Sequence, residues 1–181
     1  MKMYQIDLKS LSLSTVYKYD YLLDNYFFAS IDGPEVSKGK VNVWLSVTPA
    51  SSVFELDFKI SGVVTVMCDR CLEEMEVPIE TTNRLSISFG EMNAEISDEQ
   101  IIVSEEEGSI DIAWYMYEFI ALAIPMKHVH ETGGCNEVMT AKLNELCVDI
   151  QTTQDDDTLS DNIDRTVDPR WDALRYLTES N

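Results

Sequence analysis

Three cysteines and one histidine occur as two close pairs in the middle of the chain, Cys68 with Cys71 and His130 with Cys135. Structural zinc is bound by four thiolate or imidazole ligands in a tetrahedron, and a gap of two residues lets one turn present two sulfurs to one ion. The pattern predicts a Cys3His zinc site that joins two distant segments. Because the protein then fills all four positions, the predicted zinc has a structural role and no open position for a substrate.

The Cys68–Cys71 pair has two other interpretations. A Cys-x-x-Cys pair can be a redox dithiol, in which the first cysteine begins a helix and has a lowered pKa. Here strand-like runs at 63–67 and 72–80 flank the pair, and a strand–turn–strand segment favours a metal site. The acidic residues that follow are expected to raise the pKa of a nearby thiol. Thiols without a metal, and a redox pair or disulfide, remain alternatives.

Two further residues are weaker ligand candidates. Cys147 lies at 136–149, where apolar residues recur at helical spacing, so a buried helix cysteine is the favoured interpretation. His128 is an alternative to His130, but the two are too close in sequence to bind one ion together easily. An ordinary loop histidine is the alternative interpretation of His130.

Length and composition indicate one core with an appended tail. The chain has 181 residues, of which 45% are hydrophobic. The first ten residues lack the apolar stretch of a secretory signal, and no apolar run reaches membrane-spanning length. Together with cysteines that look unpaired, these features favour a reducing, cytoplasmic location.

The net charge of −20, from 33 acidic and 13 basic residues, argues against a broad basic surface for nucleic acid. Non-specific binding of nucleic acid uses Lys and Arg to displace counterions from phosphates. We therefore expect any role on RNA to be indirect, through a basic protein partner such as a ribosomal protein or an assembly factor. The alternative is that the charge serves only solubility.

Alternating hydrophobicity predicts an α+β fold built on an antiparallel β meander or a partly open barrel. Residues 17–30 carry apolar residues at helical spacing and are predicted to form a helix, and Gly62 is expected to interrupt a strand. The predicted strands share a period of two and lie at 4–8, 41–47, 54–60, 63–67, 75–79 and 85–89.

The second half of the chain has helical periodicity. Asp111 is the predicted N-cap of an apolar helix at 112–124, which Pro125 ends and which we expect to be buried against the sheet. The acidic residues 91–108 are predicted to form a solvated loop. Residues 1–150 are therefore assigned to a core domain that carries the Cys/His site, and residues 151–181 to an acidic linker with a C-terminal helix.

The C-terminal helix is predicted to begin at Asp168-Pro169, because Asp is a good cap and Pro is favoured at the first helical position. It is amphipathic, so it is expected to dock either on a partner or on the chain's own core. The predicted partner-binding residues lie along it and are Arg170, Trp171, Leu174 and Leu177.

Catalytic motifs are missing from the sequence. It has no glycine-rich phosphate loop, no Gly-x-Ser-x-Gly and no His-Glu-x-x-His. We therefore expect a protein that is not an enzyme.

Several of these segments together resemble the YceD family, the large ribosomal RNA subunit accumulation proteins. The resemblance lies in Cys68-Asp69-Arg70-Cys71-Leu72-Glu73, in Asp111 with its apolar helix ending Ala123-Ile124-Pro125, in His130 and Cys135, and in Asp168-Pro169-Arg170-Trp171-Asp172-Ala173-Leu174. It implies a cytoplasmic factor for accumulation of large-subunit (23S) ribosomal RNA, with no known enzymatic activity. It also implies that Cys68, Cys71, His130 and Cys135 correspond to the family's Cys/His positions.

The residues and the resemblance combine into one hypothesis: a zinc-containing acidic adaptor that binds a basic partner in ribosome assembly. Two other classes remain open, a thiol-based redox or stress sensor and a metal-dependent enzyme acting on RNA. A link to membrane lipid synthesis is disfavoured, because the sequence has no basic amphipathic surface.

Overall fold

The computed structural model describes residues 2–12 and 15–146, which form an α+β fold as the sequence predicts. The strands are β1 Gln5–Asp7, β2 Tyr17–Leu23, β3 Lys38–Ala50, β4 Val53–Met67, β5 Glu74–Gly90, β6 Ala94–Ser97, β7 Gln100–Ser104 and β8 Ser109–Asp111. The helices are α1 Asn25–Ile31, α2 Ala113–Leu122 and α3 Glu137–Leu146, and two short 3-10 turns cover Lys2–Tyr4 and Leu8–Ser10.

The main sheet has six strands in the order β2-β3-β4-β5-β7-β6, and it does not close into a barrel. Strands β2 to β5 form the predicted antiparallel meander. Strand β7 then pairs with β5 in parallel, and β6 folds back on β7 as the edge strand. Strands β1 and β8 make a separate antiparallel pair.

The core lies on one face of this sheet. Leu45, Leu56 and Phe58 alternate with exposed or partly exposed neighbours and are at most 2% exposed. Each such side chain contributes about 1.5–3 kcal/mol by leaving water. Helix α2 covers this face, since the ring of Phe119 meets that of Phe58 at 5.2 Å between centroids. The predicted burial of this helix against the sheet is therefore confirmed.

The helix predicted at 17–30 is wrong in its first half. Residues Tyr17–Leu23 form β2, and α1 begins only at Asn25, where the Asp24 carboxylate accepts hydrogen bonds from the backbone N–H groups of the first turn. In β2 the tyrosines alternate with Lys18 and Asp20. This period of two prevails over the helical spacing because pairing with β3 satisfies the backbone hydrogen bonds.

Two predicted interruptions are also wrong. Gly62 does not break the strand: β4 runs through it, because its lack of a side chain lets the backbone of β3 approach closely. Residues 91–108 are not simply a solvated loop, since they contain β6 and β7. In β7, Ile101 and Val103 alternate with partly exposed residues and are buried.

Asp111 is not the N-cap of α2. It ends β8, and Ile112 occupies the cap position. The Asp111 carboxylate nevertheless accepts a hydrogen bond of 2.9 Å from the backbone N–H of Ala113, so it still serves the helix terminus.

The predictions for Cys147, for the linker at 151–181 and for the C-terminal helix lie outside the described residues. Within the described part of the chain, no helix is both long and apolar enough to span a membrane.

Candidate metal centre

Cys68 and Cys71 lie in the tight connection between β4, which ends at Met67, and β5, which begins at Glu74. The N–H of Cys68 donates to the carbonyl of Glu73 at 2.8 Å, and the N–H of Leu72 donates to the carbonyl of Cys68 at 3.0 Å. The predicted strand–turn–strand arrangement is confirmed. It directs both sulfurs to the same side of one turn.

His130 and Cys135 lie in the loop between α2 and α3. Gly133 has φ of +86°, in the left-handed region that favours glycine, and the N–H of Gly134 donates to the carbonyl of Glu131 at 2.8 Å. This reversal brings the two side chains back towards each other, although four residues separate them.

Hydrogen bonds hold the loop against the β4–β5 turn. The N–H of Asp69 donates to the carbonyl of His128 at 3.0 Å, and the Asp69 carboxylate accepts the N–H of His128 at 2.8 Å. The side-chain amide of Asn136 donates to the carboxylate of Glu73 at 2.6 Å. These hydrogen bonds hold the two segments in register.

The four donor atoms of Cys68, Cys71, His130 and Cys135 all lie within 4.8 Å of one another. The Sγ atoms of Cys68 and Cys135 are 3.9 Å apart, and the His130 Nδ1 is 3.3 Å from the Cys71 Sγ and 4.0 Å from the Cys135 Sγ. Ligands about 2.0–2.3 Å from a tetrahedral zinc are separated by about 3.3–3.8 Å. The donor set therefore fits an ion with little movement.

Burial and donor chemistry also suit a metal. Cys68 is fully buried and Cys71 is 4% exposed, so two of the sulfurs are shielded from water. The described cysteines, Cys68, Cys71 and Cys135, are free thiols rather than a disulfide. A set of three sulfurs and one imidazole nitrogen favours zinc among common divalent ions.

The pKa of Cys68 is lowered, whereas the sequence predicts that nearby acidic residues raise it. Burial does act to raise this pKa, but N–H groups of Cys71, Arg70 and His130 favour the thiolate and lower it overall to about 6. The Arg70 N–H lies 3.4 Å from the sulfur. The short distances between the Cys68 sulfur and these N–H groups, which the sequence does not show, therefore affect the pKa of Cys68 more than the downstream carboxylates do.

The other two groups shift with Cys68. Hydrogen bonding to the Cys68 sulfur raises the pKa of His130, against the effect of its burial. Burial and then contact with the neighbouring thiols raise the pKa of Cys135. Without a metal, these contacts shift Cys68 towards the thiolate and His130 towards its protonated form, and a metal ion would displace the remaining protons.

His128 is outside the cluster, so the structure does not place it as an alternative ligand. Its Nδ1 lies 3.0 Å from the carbonyl oxygen of Pro125, and its Nε2 lies 3.5 Å from the Asp69 carboxylate. It anchors the loop to the β4–β5 turn. The predicted partner residues Arg170, Trp171, Leu174 and Leu177 lie outside the described part of the chain.

Sequence reasoning missed Asp69 and Asn136, which support the site without belonging to it. Asn136 follows Cys135 directly and also accepts the N–H groups of Val138 and Met139, so it caps α3. Their positions in the sequence could have identified them, because each residue is adjacent to a predicted ligand and has a side chain that can hydrogen-bond to the backbone.

A protein-family model described as "Large ribosomal RNA subunit accumulation protein YceD" matches residues 56–178. This span covers more than half of the chain and includes Cys68, Cys71, His130 and Cys135. No curated protein and no solved structure matches the chain.

Proposed function

The chain belongs to the YceD family of large ribosomal RNA subunit accumulation proteins, and we propose on this basis that it supports accumulation of large-subunit ribosomal RNA in the cytoplasm without being an enzyme. The family match is the observation that carries the proposal. The described residues add a Cys/His cluster in which all four donors come from the protein. A closed set of four ligands suits a structural ion.

The role of the metal in this proposal is architectural. Zinc at Cys68, Cys71, His130 and Cys135 would bind the β4–β5 turn to the loop between α2 and α3. Hydrogen bonds of the Asp69 and Asn136 side chains also join these segments, so the ion would reinforce that contact. The surface presented by this end of the domain would then keep one shape.

The charge of the chain supports an adaptor rather than an RNA-binding protein. With a net charge of −20, the protein repels phosphate and attracts basic partners. A ribosomal protein or an assembly factor is such a partner. The predicted C-terminal helix, with Arg170, Trp171, Leu174 and Leu177, is proposed as one of its contacts.

The first experiment measures the ratio of mature large-subunit to small-subunit ribosomal RNA, with their precursors, in cells depleted of the protein. We expect a selective fall of the large-subunit species, restored by the wild type and by Arg70→Ala. The double variant Cys68→Ser with Cys71→Ser should restore it poorly, since it removes two ligands. An unchanged ratio after depletion would overturn the proposed function.

The adaptor role has its own test, because the ribosomal RNA ratio does not report on a partner. Tagged wild type and Trp171→Ala are used to capture bound proteins from the same cells. Enrichment of ribosomal or assembly proteins by the wild type, reduced for Trp171→Ala, is the expected result. If neither protein enriches them, the adaptor role is wrong even where the ribosomal RNA effect holds.

A thiol-based sensor is a second candidate, favoured by the approach of the Cys68 and Cys135 sulfurs to 3.9 Å, which would let oxidation join them, and by the lowered pKa of Cys68, because thiolates react with oxidants more readily than thiols. The discriminating measurement is the state of the cysteines in protein isolated from cells before and after mild oxidant treatment. Reversible loss of zinc together with a new Cys68 disulfide would support a sensor. Unchanged zinc would leave the structural role.

A further inference from the structure

A groove of about 630 Å³ lies between the edge strand β6 and helix α2. The inference rests on side chains of β6, of the turn that follows it and of α2, which are Glu95, Ile96, Asp98, Tyr115, Glu118 and Leu122. Its floor includes Ile101 of β7 and Phe119 of α2, which are buried in the core. The groove therefore borders the hydrophobic core of the domain.

Large apolar side chains are exposed along this groove. Leu122 is 82% exposed and Ile96 is 62% exposed. On α2, Trp114, Glu118 and Leu122 are spaced by four residues and share one helix face, and Trp114 is 47% exposed. Exposed apolar side chains grouped with polar ones are typical of protein interaction sites.

The charge around these apolar side chains is of one sign. Between Arg84 and Lys127 the sequence contains many carboxylates but no Lys or Arg. The Tyr115 hydroxyl donates to Glu95 at 3.2 Å, and the Trp114 indole N–H donates to Glu118 at 2.6 Å. These bonds orient the two carboxylates while leaving them without a cationic partner in the described part of the chain.

On the outer face of the main sheet, which is the face opposite the core, some carboxylates do have cationic partners. There Arg84 pairs with Asp57 at 2.7 Å, and Lys38 pairs with Glu74, so cations offset part of the acidic charge. The groove thus combines uncovered apolar surface with uncompensated negative charge. This combination suits a ligand that carries positive charge and apolar side chains together.

We propose that the groove binds a short segment of a basic protein in which Lys or Arg residues accompany apolar anchors. This inference rests on the proposed function and assigns its partner contact to a second surface, at the β6–α2 groove. The apolar anchors would cover Ile96 and Leu122, and the cations would meet Glu95, Asp98 and Glu118. RNA is disfavoured as an occupant, because its phosphates would face only carboxylates.

Binding is measured with the full-length protein and three fluorescent peptides of equal length. One contains Arg and Leu, the second has Ser in place of each Leu, and the third has Glu in place of each Arg. The groove variant is Glu95→Gln with Asp98→Asn and Glu118→Gln. Its matched control removes the same number of charges from the outer sheet face and is Asp20→Asn with Glu76→Gln and Glu80→Gln, all exposed in the wild type.

We expect the Arg/Leu peptide to bind the wild type and the matched control similarly, and the groove variant at least about ten-fold more weakly. Leu122→Ser should weaken binding as well, whereas Leu22→Ser, at an exposed leucine of β2, should not. Equal binding of the Ser-containing peptide would reveal only non-specific attraction and overturn the proposal. Loss of self-association in Leu122→Ser, without peptide binding by the wild type, would assign the groove to a second copy of the chain.

The outcome is independent of the test of the proposed function. If depletion leaves ribosomal RNA unchanged but the peptide binds in the groove, the groove is a binding site for basic segments and its cellular role is a different one. If depletion lowers large-subunit RNA but the peptide does not bind, the function stands and this groove is not its contact.

Discussion

The Sγ of Cys68 lies 3.9 Å from the Sγ of Cys135, although 67 positions separate the two residues in sequence. A disulfide requires about 2.05 Å between sulfurs, whereas two ligands of one zinc ion are about 3.8 Å apart. The separation therefore suits two ligands of one ion. Cys71 and His130 complete the cluster of four donors that could hold the ion.

Purified without chelators, the protein is expected to contain about one zinc ion per chain. Cys135→Ser should lower the zinc content strongly, because it removes one of four ligands. Cys147→Ser is the matched control, since Cys147 is predicted to be a helix residue rather than a ligand. Metal analysis by mass spectrometry gives the answer. A fully folded wild type that contains no metal when prepared in this way would contradict the prediction.

Asp69→Ala is expected to weaken zinc binding by about 10–100-fold without removing a ligand. The Asp69 carboxylate accepts the N–H of His128 and so holds the loop that presents His130. Competition with a chromophoric chelator measures the affinity. Arg70→Ala is the control in the same turn, because the bond from residue 70 to the Cys68 sulfur comes from its backbone. Equal losses in both variants would argue against a positioning role for Asp69.

The metal-free protein is expected to keep Cys68 ionised down to pH of about 6, whereas the ordinary thiol pKa is 9.0. Because the pKa is lower in the folded state, folding releases protons between these values. This contribution to stability is present above about pH 9 and is lost as the pH falls through about 6. His130, whose pKa is raised, contributes with the opposite sign.

The measurement is the ultraviolet absorbance of the thiolate during a pH titration of the chelated protein. A step with a midpoint near 6 should be present in the wild type and absent in Cys68→Ser. Cys135→Ser should retain this step, because the pKa of Cys135 is raised rather than lowered. A wild type whose only step lies near 9 would show that the turn does not stabilise the thiolate.

Gly62→Ala is expected to lower the free energy of unfolding by about 1–3 kcal/mol, the cost typical of overpacking. A Cβ at this position would overlap the carbonyl oxygen of Lys40 and approach the Cα of Val41 to 2.5 Å, so strands β3 and β4 would have to separate. Denaturant unfolding measures the change. Ser61→Ala, at the adjacent position, is the control and should alter stability by much less.

The sequence by itself determined the local features of this protein. The alternation around Val43 and Phe58 identified strands, because one face of each strand is buried. The apolar run that includes Met116 identified a buried helix, and the spacing of Cys68 and Cys71 identified a turn that presents two sulfurs. Ligand type and spacing likewise selected His130 and Cys135. The predictions of strands, helix and turn are confirmed because they depend on neighbours in the chain, whereas metal binding by His130 and Cys135 stays a prediction.

Only the tertiary structure decided which segments meet. Residues 17–23 became a strand because β3 offered a pairing partner, and Ile101 and Val103 became buried because β7 adds in parallel to β5. Alternation specifies a face but not a partner strand. For the same reason, the approach of Cys68 to Cys135 and the groove at Leu122 depend on contacts between residues far apart in sequence, which local spacing does not encode.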